Sequence, residues 1–136
     1  MTIEPTPNDL VWATCPLYPR YEVSNQGHVR CVGVSSRMRP YRMLNPFHNK
    51  DSYEAVSIYP EPGVRKNVFV HTLVLTTFVA PRPSDFYSAD HLNGCRTDNR
   101  LCNLEWVTIW ENTRRRTERR RLDAVHGTDA YGRRKR

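Results

Sequence analysis

The sequence predicts an α+β protein: small N-terminal antiparallel β-hairpins packed on a short helix, then two short strands leading into a helix, and a basic C-terminal helix or tail. Three observations predict it. Short runs alternate apolar and polar residues and are separated by Asn-Gln-Gly, Pro-Glu-Pro-Gly and Asn-Gly turn signals, the pattern of antiparallel hairpins. The 10 prolines keep every element short. The stretch from Thr108 to Glu111 carries an N-terminal helix signature directly ahead of an arginine run, marking where strand gives way to helix.

At 136 residues one domain is expected. Residues 1–9 are polar and Pro-rich and read as a loose tail. Residues 10–15, with Val11 and Trp12, read as a short strand or an anchor. Tyr21-Glu22-Val23-Ser24 alternates, Asn25-Gln26-Gly27 turns, and residues 28–34 alternate again, which makes a hairpin. Trp12, Tyr21, Val23 and Val29 suit its core side. Arg30, on the second strand, is either a phosphate contact or a solvated strand residue. Residues 35–50 interleave Arg37, Arg39, Arg42 and Lys50 with Tyr41, Phe47 and His48. Such a loop is either a surface connection or a contact with a nucleic-acid backbone. Pro40 and Pro46 exclude a regular helix there.

Residues 53–59 read as a strand, 60–63 as a turn and 66–70 as its partner, a second hairpin expected to extend the first sheet. Residues 71–79 form an apolar run of about two turns, which propensity alone leaves open between helix and strand. His71 within it reads as a DNA contact or, in preference, as a hydrogen-bonded structural histidine. Residues 80–87, with Pro81 and Pro83, are a linker.

Ala89-Asp90-His91-Leu92 is a brief extended piece, Asn93-Gly94 a turn, residues 95–103 a polar loop, and residues 104–107 a half-buried strand. Thr108 and Glu111 fit a capping box, in which the hydroxyl accepts from the Glu111 amide and the carboxylate reaches back to the Thr108 amide. With Thr108 as N-cap, Asn112 lies in the first helical turn and is aimed back at the strands, so that Asp90, His91 and Asn112 can converge.

Asp90, His91, Asn103, Leu104, Trp106, Thr108 and Asn112 match DH-x(11)-N-L-x-W-x-T-x(3)-N. This pattern resembles the ββα-metal motif of HNH endonucleases, closest to the phage and intron-encoded homing or nicking type. The Val70-His71-Thr72-Leu73-Val74 segment resembles the family's helix before the motif, and residues 21–30 resemble an N-terminal module often fused to such nucleases. The resemblance covers residues 12–116. It implies a DNA-binding β module over residues 10–50, a nuclease domain over 51–122 with its motif at 88–122, a helix over 71–79, and a basic tail over 123–136.

The chemistry implied is phosphodiester hydrolysis. His91, with an ordinary pKa of ~6.5, is the expected base for water. Asp90 and Asn112 are the expected ligands of one divalent ion, and an oxygen pair of this kind favours Mg²⁺ or Mn²⁺ over zinc. Adjacent strand residues point to opposite faces, so a twisted or bulged strand end is expected to bring Asp90 and His91 to one phosphate. Asn103 takes the family's middle position, with the role of bonding backbone across the loop and fixing the His91 strand; Asn99 is placed to help fold the same loop. The third motif position is Asn112 rather than His, as is common in the homing branch.

Charge points the same way. The net charge is +7, and residues 1–112 are neutral, so the whole excess lies in residues 113–136. A concentrated basic segment suits a polyanion partner or a solubilising tail. Residues after the motif carry no helix-turn-helix pattern. Contact with double-stranded DNA is therefore expected from Arg114, Arg115, Arg119 and Arg120 on the motif helix and from the N-terminal hairpins with Arg30, Arg37 and Arg39. The four cysteines form no C-x-x-C pair, so structural zinc is not expected and free thiols are. No apolar run approaches the ~18 residues of a membrane span, and the protein is expected in the cytoplasm, that of the host cell if phage-encoded. The expected function is a metal-dependent endonuclease nicking one strand per site. The alternatives are a non-catalytic DNA-binding protein of the same fold and, more weakly, an RNA-directed protein. Monomer and homodimer stay open.

Overall fold

The computed structural model describes residues 9–33 and 41–126. Arg37, Arg39 and the tail beyond residue 126 lie outside the described residues. The first sheet has the order β1 (Trp12–Thr14), β2 (Tyr21–Ser24), β3 (Val29–Cys31), β4 (Arg42–Met43), all antiparallel. Tyr21 faces Cys31 and Val23 faces Val29 across the β2–β3 ladder, and all four side chains are buried. The alternation in sequence thus becomes one apolar face. The Ser24 hydroxyl accepts from the amides of Gln26 and His28 and Gly27 adopts φ +87°, which closes the turn.

The second hairpin does not extend this sheet. β5 (Phe47–His48), β6 (Glu54–Glu61) and β7 (Val64–Phe69) form a sheet of their own. Only residues 44–46 separate β4 from β5, and they end on Pro46, which has no amide to continue a ladder. The two sheets are joined by a side chain instead: the Tyr59 amide donates to the Tyr21 hydroxyl at 2.8 Å.

The apolar run resolves to a helix, α1 (Val70–Phe78). Val70, His71, Leu73, Val74, Leu75 and Thr76 are all buried, so the helix is covered on nearly every side. It packs against strands of all three sheets and is the centre of the core, with Val23, Val56, Ile58 and Leu104 around it. This surrounding, rather than propensity, decides between helix and strand. The last sheet pairs β8 (Tyr87–His91) with β9 (Leu104–Thr108), and α2 (Ile109–His126) follows without a break. The loop between the two strands ends in a single 3₁₀ turn at Leu101–Asn103. Trp106 Nε1 donates to the Ala80 carbonyl at 2.9 Å and pins the linker after α1. No described helix is long and apolar enough to cross a membrane.

One half of the expected capping box is present. The Glu111 amide donates to the Thr108 hydroxyl at 3.2 Å. The Glu111 carboxylate does not reach back, because it accepts from Arg114 at 2.6 Å and Arg115 at 3.0 Å, and two guanidinium partners outcompete a neutral amide.

Candidate active site

β8 and α2 deliver the chemistry. Asp90 and His91 end the strand opposite Glu105 and Leu104, and Asn112 lies in the first turn of the helix. The three side chains line one small cleft of about 40 Å³, together with Tyr53, Arg96 and Arg116. That exceeds the roughly 10–15 Å³ needed to hold a single water. No bulge is needed to bring the neighbours together: the ladder is regular to His91, and the cleft lies across the end of the strand, where the Gly94 amide turns back onto the His91 carbonyl at 2.8 Å.

Asp90 is 3% exposed and doubly held. Its carboxylate accepts from Arg115 at 3.0 Å and from Arg119 at 3.2 Å to each oxygen. Arg119 also donates to the His91 carbonyl at 2.9 Å, and Arg115 divides itself among Asp90, Glu105 and Glu111. These two arginines, expected from the sequence to grip DNA, are turned onto the strand. Positions 115 and 119 are one helical turn apart on the face that crosses β8. Arg114 pairs with Glu111, and Arg120 is exposed. Arg30 pairs with Glu22 at 2.7 Å and lies between the rings of Trp12 and Tyr41, 4.0 and 4.8 Å from their centroids. Arg116, which the sequence offers only as one member of a run, borders the cleft; its i+4 spacing from Asn112 is the signal that finds it.

His91 is 4% exposed, and its Nε2 lies 2.9 Å from Asn99 Oδ1. Burial lowers its pKa below the ordinary histidine value, against a smaller opposing pull from the Asn99 bond and Asp90. Asn99 is itself buried, and its Nδ2 donates to Glu54 Oε2 at 3.0 Å. Glu54 carries no sequence signal for the site, since 45 residues separate the pair. The ring of His71 meets His91 edge-on, with centroids 5.1 Å apart, and is stacked on Phe69. Burial, with His91 alongside, pushes His71 down to about 3. Its Nδ1 is buried without a hydrogen-bond partner among the described residues, and aromatic neighbours surround the ring.

Asn103 spans the loop. Its Oδ1 accepts from the Asn93 amide at 3.0 Å, and its Nδ2 donates to Asn93 Oδ1 at 3.0 Å and to the Asp98 carbonyl at 2.9 Å. The Leu92 amide donates to the Asn103 carbonyl, so the loop is closed immediately after His91. Asn112 Nδ2 donates to Ser88 Oγ at 2.9 Å, which leaves its amide oxygen for another partner. The donors that border the cleft are therefore a carboxylate and an amide oxygen. Such a set is of the right kind for a hard divalent cation that keeps several waters. Among the described residues no group of three or more His, Cys, Asp or Glu side chains could hold a metal ion.

No family model matches the chain. Two uncharacterized HNH endonucleases of Acanthamoeba polyphaga mimivirus are similar to it. One is 32% identical over 105 residues, covering 75% of this chain and 25% of the relative; the other is 30% identical over 92 residues, covering 68% and 26%. The chain thus spans about a quarter of the length of the curated relatives it matches. A solved structure, of DNA binding and cleavage by the HNH homing endonuclease I-HmuI, shares the fold with a TM-score of 0.68 and 24% identity, over 87% of this chain and 68% of that one. The strand pair and helix that carry the motif, and the relatives that align with most of the chain, lead to one assignment: the chain belongs to the HNH endonuclease family.

Proposed function

We propose that the protein is a metal-dependent DNA endonuclease that hydrolyses phosphodiester bonds and nicks one strand per active site. The observation that carries this reading is the single cleft bordered by Asp90, His91 and Asn112, with Arg96 and Arg116 at its edge. Hydrolysis needs a base for water, positive charge at the phosphoryl and leaving oxygens, and rigid placement of both. The His91 imidazole takes the proton from the attacking water; its depressed pKa keeps it neutral, and so able to do this, at pH 7. Arg96 and Arg116 bind the phosphate and orient it in the cleft. Asp90 and Asn112 would hold one Mg²⁺ or Mn²⁺, which when bound supplies charge stabilisation of the phosphoryl and leaving oxygens. DNA phosphates give Arg115 and Arg119 an alternative anion, which frees the Asp90 oxygens they now hold. I-HmuI, which binds and cleaves DNA, supports DNA as the substrate.

The grip of Arg115 and Arg119 on Asp90 also suits a second reading, a DNA-binding protein of the same fold that does not cut. A supercoiled-plasmid assay separates the two. Nicking with Mg²⁺ or Mn²⁺, abolished by EDTA and lowered roughly 10²–10⁴-fold by His91→Ala with DNA binding retained, is the expected result. Retention of the plasmid without nicking under any of these conditions establishes the second reading instead.

A further inference from the structure

We propose that Asn99 and Glu54 are positioning residues that hold His91 as the Nε2–H tautomer and so make Nδ1 the atom that accepts the proton of water. The proposal rests on the reading of His91 as the base. It follows from the polarity of two consecutive hydrogen bonds. A carboxylate can only accept. Glu54 Oε2 lies 3.0 Å from the Asn99 amide nitrogen, so the donating end of the amide faces Glu54. Its oxygen then faces His91 Nε2 at 2.9 Å, and an amide oxygen also only accepts. Nε2 must therefore carry the hydrogen. A neutral imidazole has one ring N–H, so Nδ1 is left with a bare lone pair.

The amide cannot escape this choice by turning over. Asn99 is 3% exposed, which removes water as a competing partner. A flipped amide would set its oxygen against the Glu54 carboxylate, two acceptors with no proton between them. The other Glu54 oxygen lies 3.4 Å from His48 Nε2. The backbone is fixed as well. The turn between β2 and β3 presses on it so closely that a Cβ added to Gly27 would lie 2.9 Å from both Asn99 Cβ and the Asn99 carbonyl oxygen. The Leu101 amide, two residues on, donates to the Asn25 carbonyl of the same turn at 2.8 Å. Three segments distant in sequence thus fix which nitrogen of His91 is bare.

The test reads the tautomer directly. Two-bond ¹H–¹⁵N correlation spectra of the full chain labelled at histidine nitrogens distinguish a protonated from a bare ring nitrogen, and the His91 signal is assigned by its loss in His91→Ala. The expected wild-type spectrum shows Nε2 protonated and Nδ1 bare; the reverse overturns the proposal. Glu54→Gln keeps the shape of the relay but gives position 54 a donor, which allows the amide to turn. The expected result is a mixed or inverted His91 tautomer, with kcat for plasmid nicking lowered about tenfold and KM unchanged. An unchanged tautomer in this variant also overturns the proposal. The spectrum needs neither metal nor DNA, so a protein that proves not to cut DNA would fail the functional reading without altering the tautomer result, and an inverted tautomer would fail this inference without touching the His91→Ala assay.

Discussion

The histidines beside the cleft make a stability prediction at the scale of single residues. His71 is held neutral by burial, with its pKa down at about 3. In the unfolded chain it has the ordinary value of ~6.5. Between these values the unfolded chain binds a proton that the native protein refuses. Stability is therefore fully present above pH ~6.5 and falls as pH drops toward 3, by up to about 1.4 kcal/mol per pH unit for this one group. His91, lowered by the same cause, adds a loss of the same sign. Urea unfolding at pH 7 and pH 4.5 checks this: His71→Phe is expected to lose clearly less stability on acidification than the parent protein. Equal losses would show that other groups dominate. The orphaned Nδ1 makes the substitution tolerable at neutral pH, because phenylalanine removes an unsatisfied polar atom and keeps the stack on Phe69.

Among the elements, the β2–β3 turn matters most for the site. Its sequence, Asn25-Gln26-Gly27, is a readable turn signal, and the positive φ at Gly27 is what that signal means. What cannot be read is that the turn rests on Asn99. Gly27→Ala places a Cβ where φ is +87° and where Asn99 is 2.9 Å away, so backbone strain and a clash coincide. A destabilisation of about 1–3 kcal/mol is expected, measured by denaturant unfolding, with amide exchange faster in residues 95–103 than in α1. Uniform exchange changes would place the effect elsewhere. The motif strands and helix were legible for a related reason: Asp90, His91, Asn103 and Asn112 lie within one short stretch, and local spacing determines how strand, turn and helix N-terminus fit together. Glu54, Gly27 and Tyr53 reach the same place through tertiary packing, which leaves no periodicity behind. The separate second sheet was missed for the same reason, since alternation reveals a hairpin and not the edge it joins.

For the molecule as a whole, the excess of positive charge overstates the cations free for a polyanion. Arg114, Arg115 and Arg119 each have acidic partners within the fold. Among the described residues Arg116 and Arg120 have no acidic partner, and Arg116 borders the cleft. Binding to duplex DNA is expected to weaken linearly in log K against log salt, and Arg116→Gln is expected to reduce the magnitude of that slope by about 1. A fluorescence-anisotropy salt titration checks it; an unchanged slope would remove Arg116 from the phosphate contacts. The overall α+β class was legible from alternation, turns and the arginine-bearing helix start, and the structure agrees with it. The inward folding of Arg115 and Arg119 was not, because a helical face can be read from spacing but the strand it lies across cannot.

The contact between Gly27 and Asn99 bears on how far the motif can travel. Residues 88–126 look like a portable cassette, yet the imidazole's choice of nitrogen is made by groups at positions 27 and 54. A graft of that cassette onto a foreign scaffold would bring the carboxylate and the amide intact and arrive with a histidine free to pick either proton arrangement.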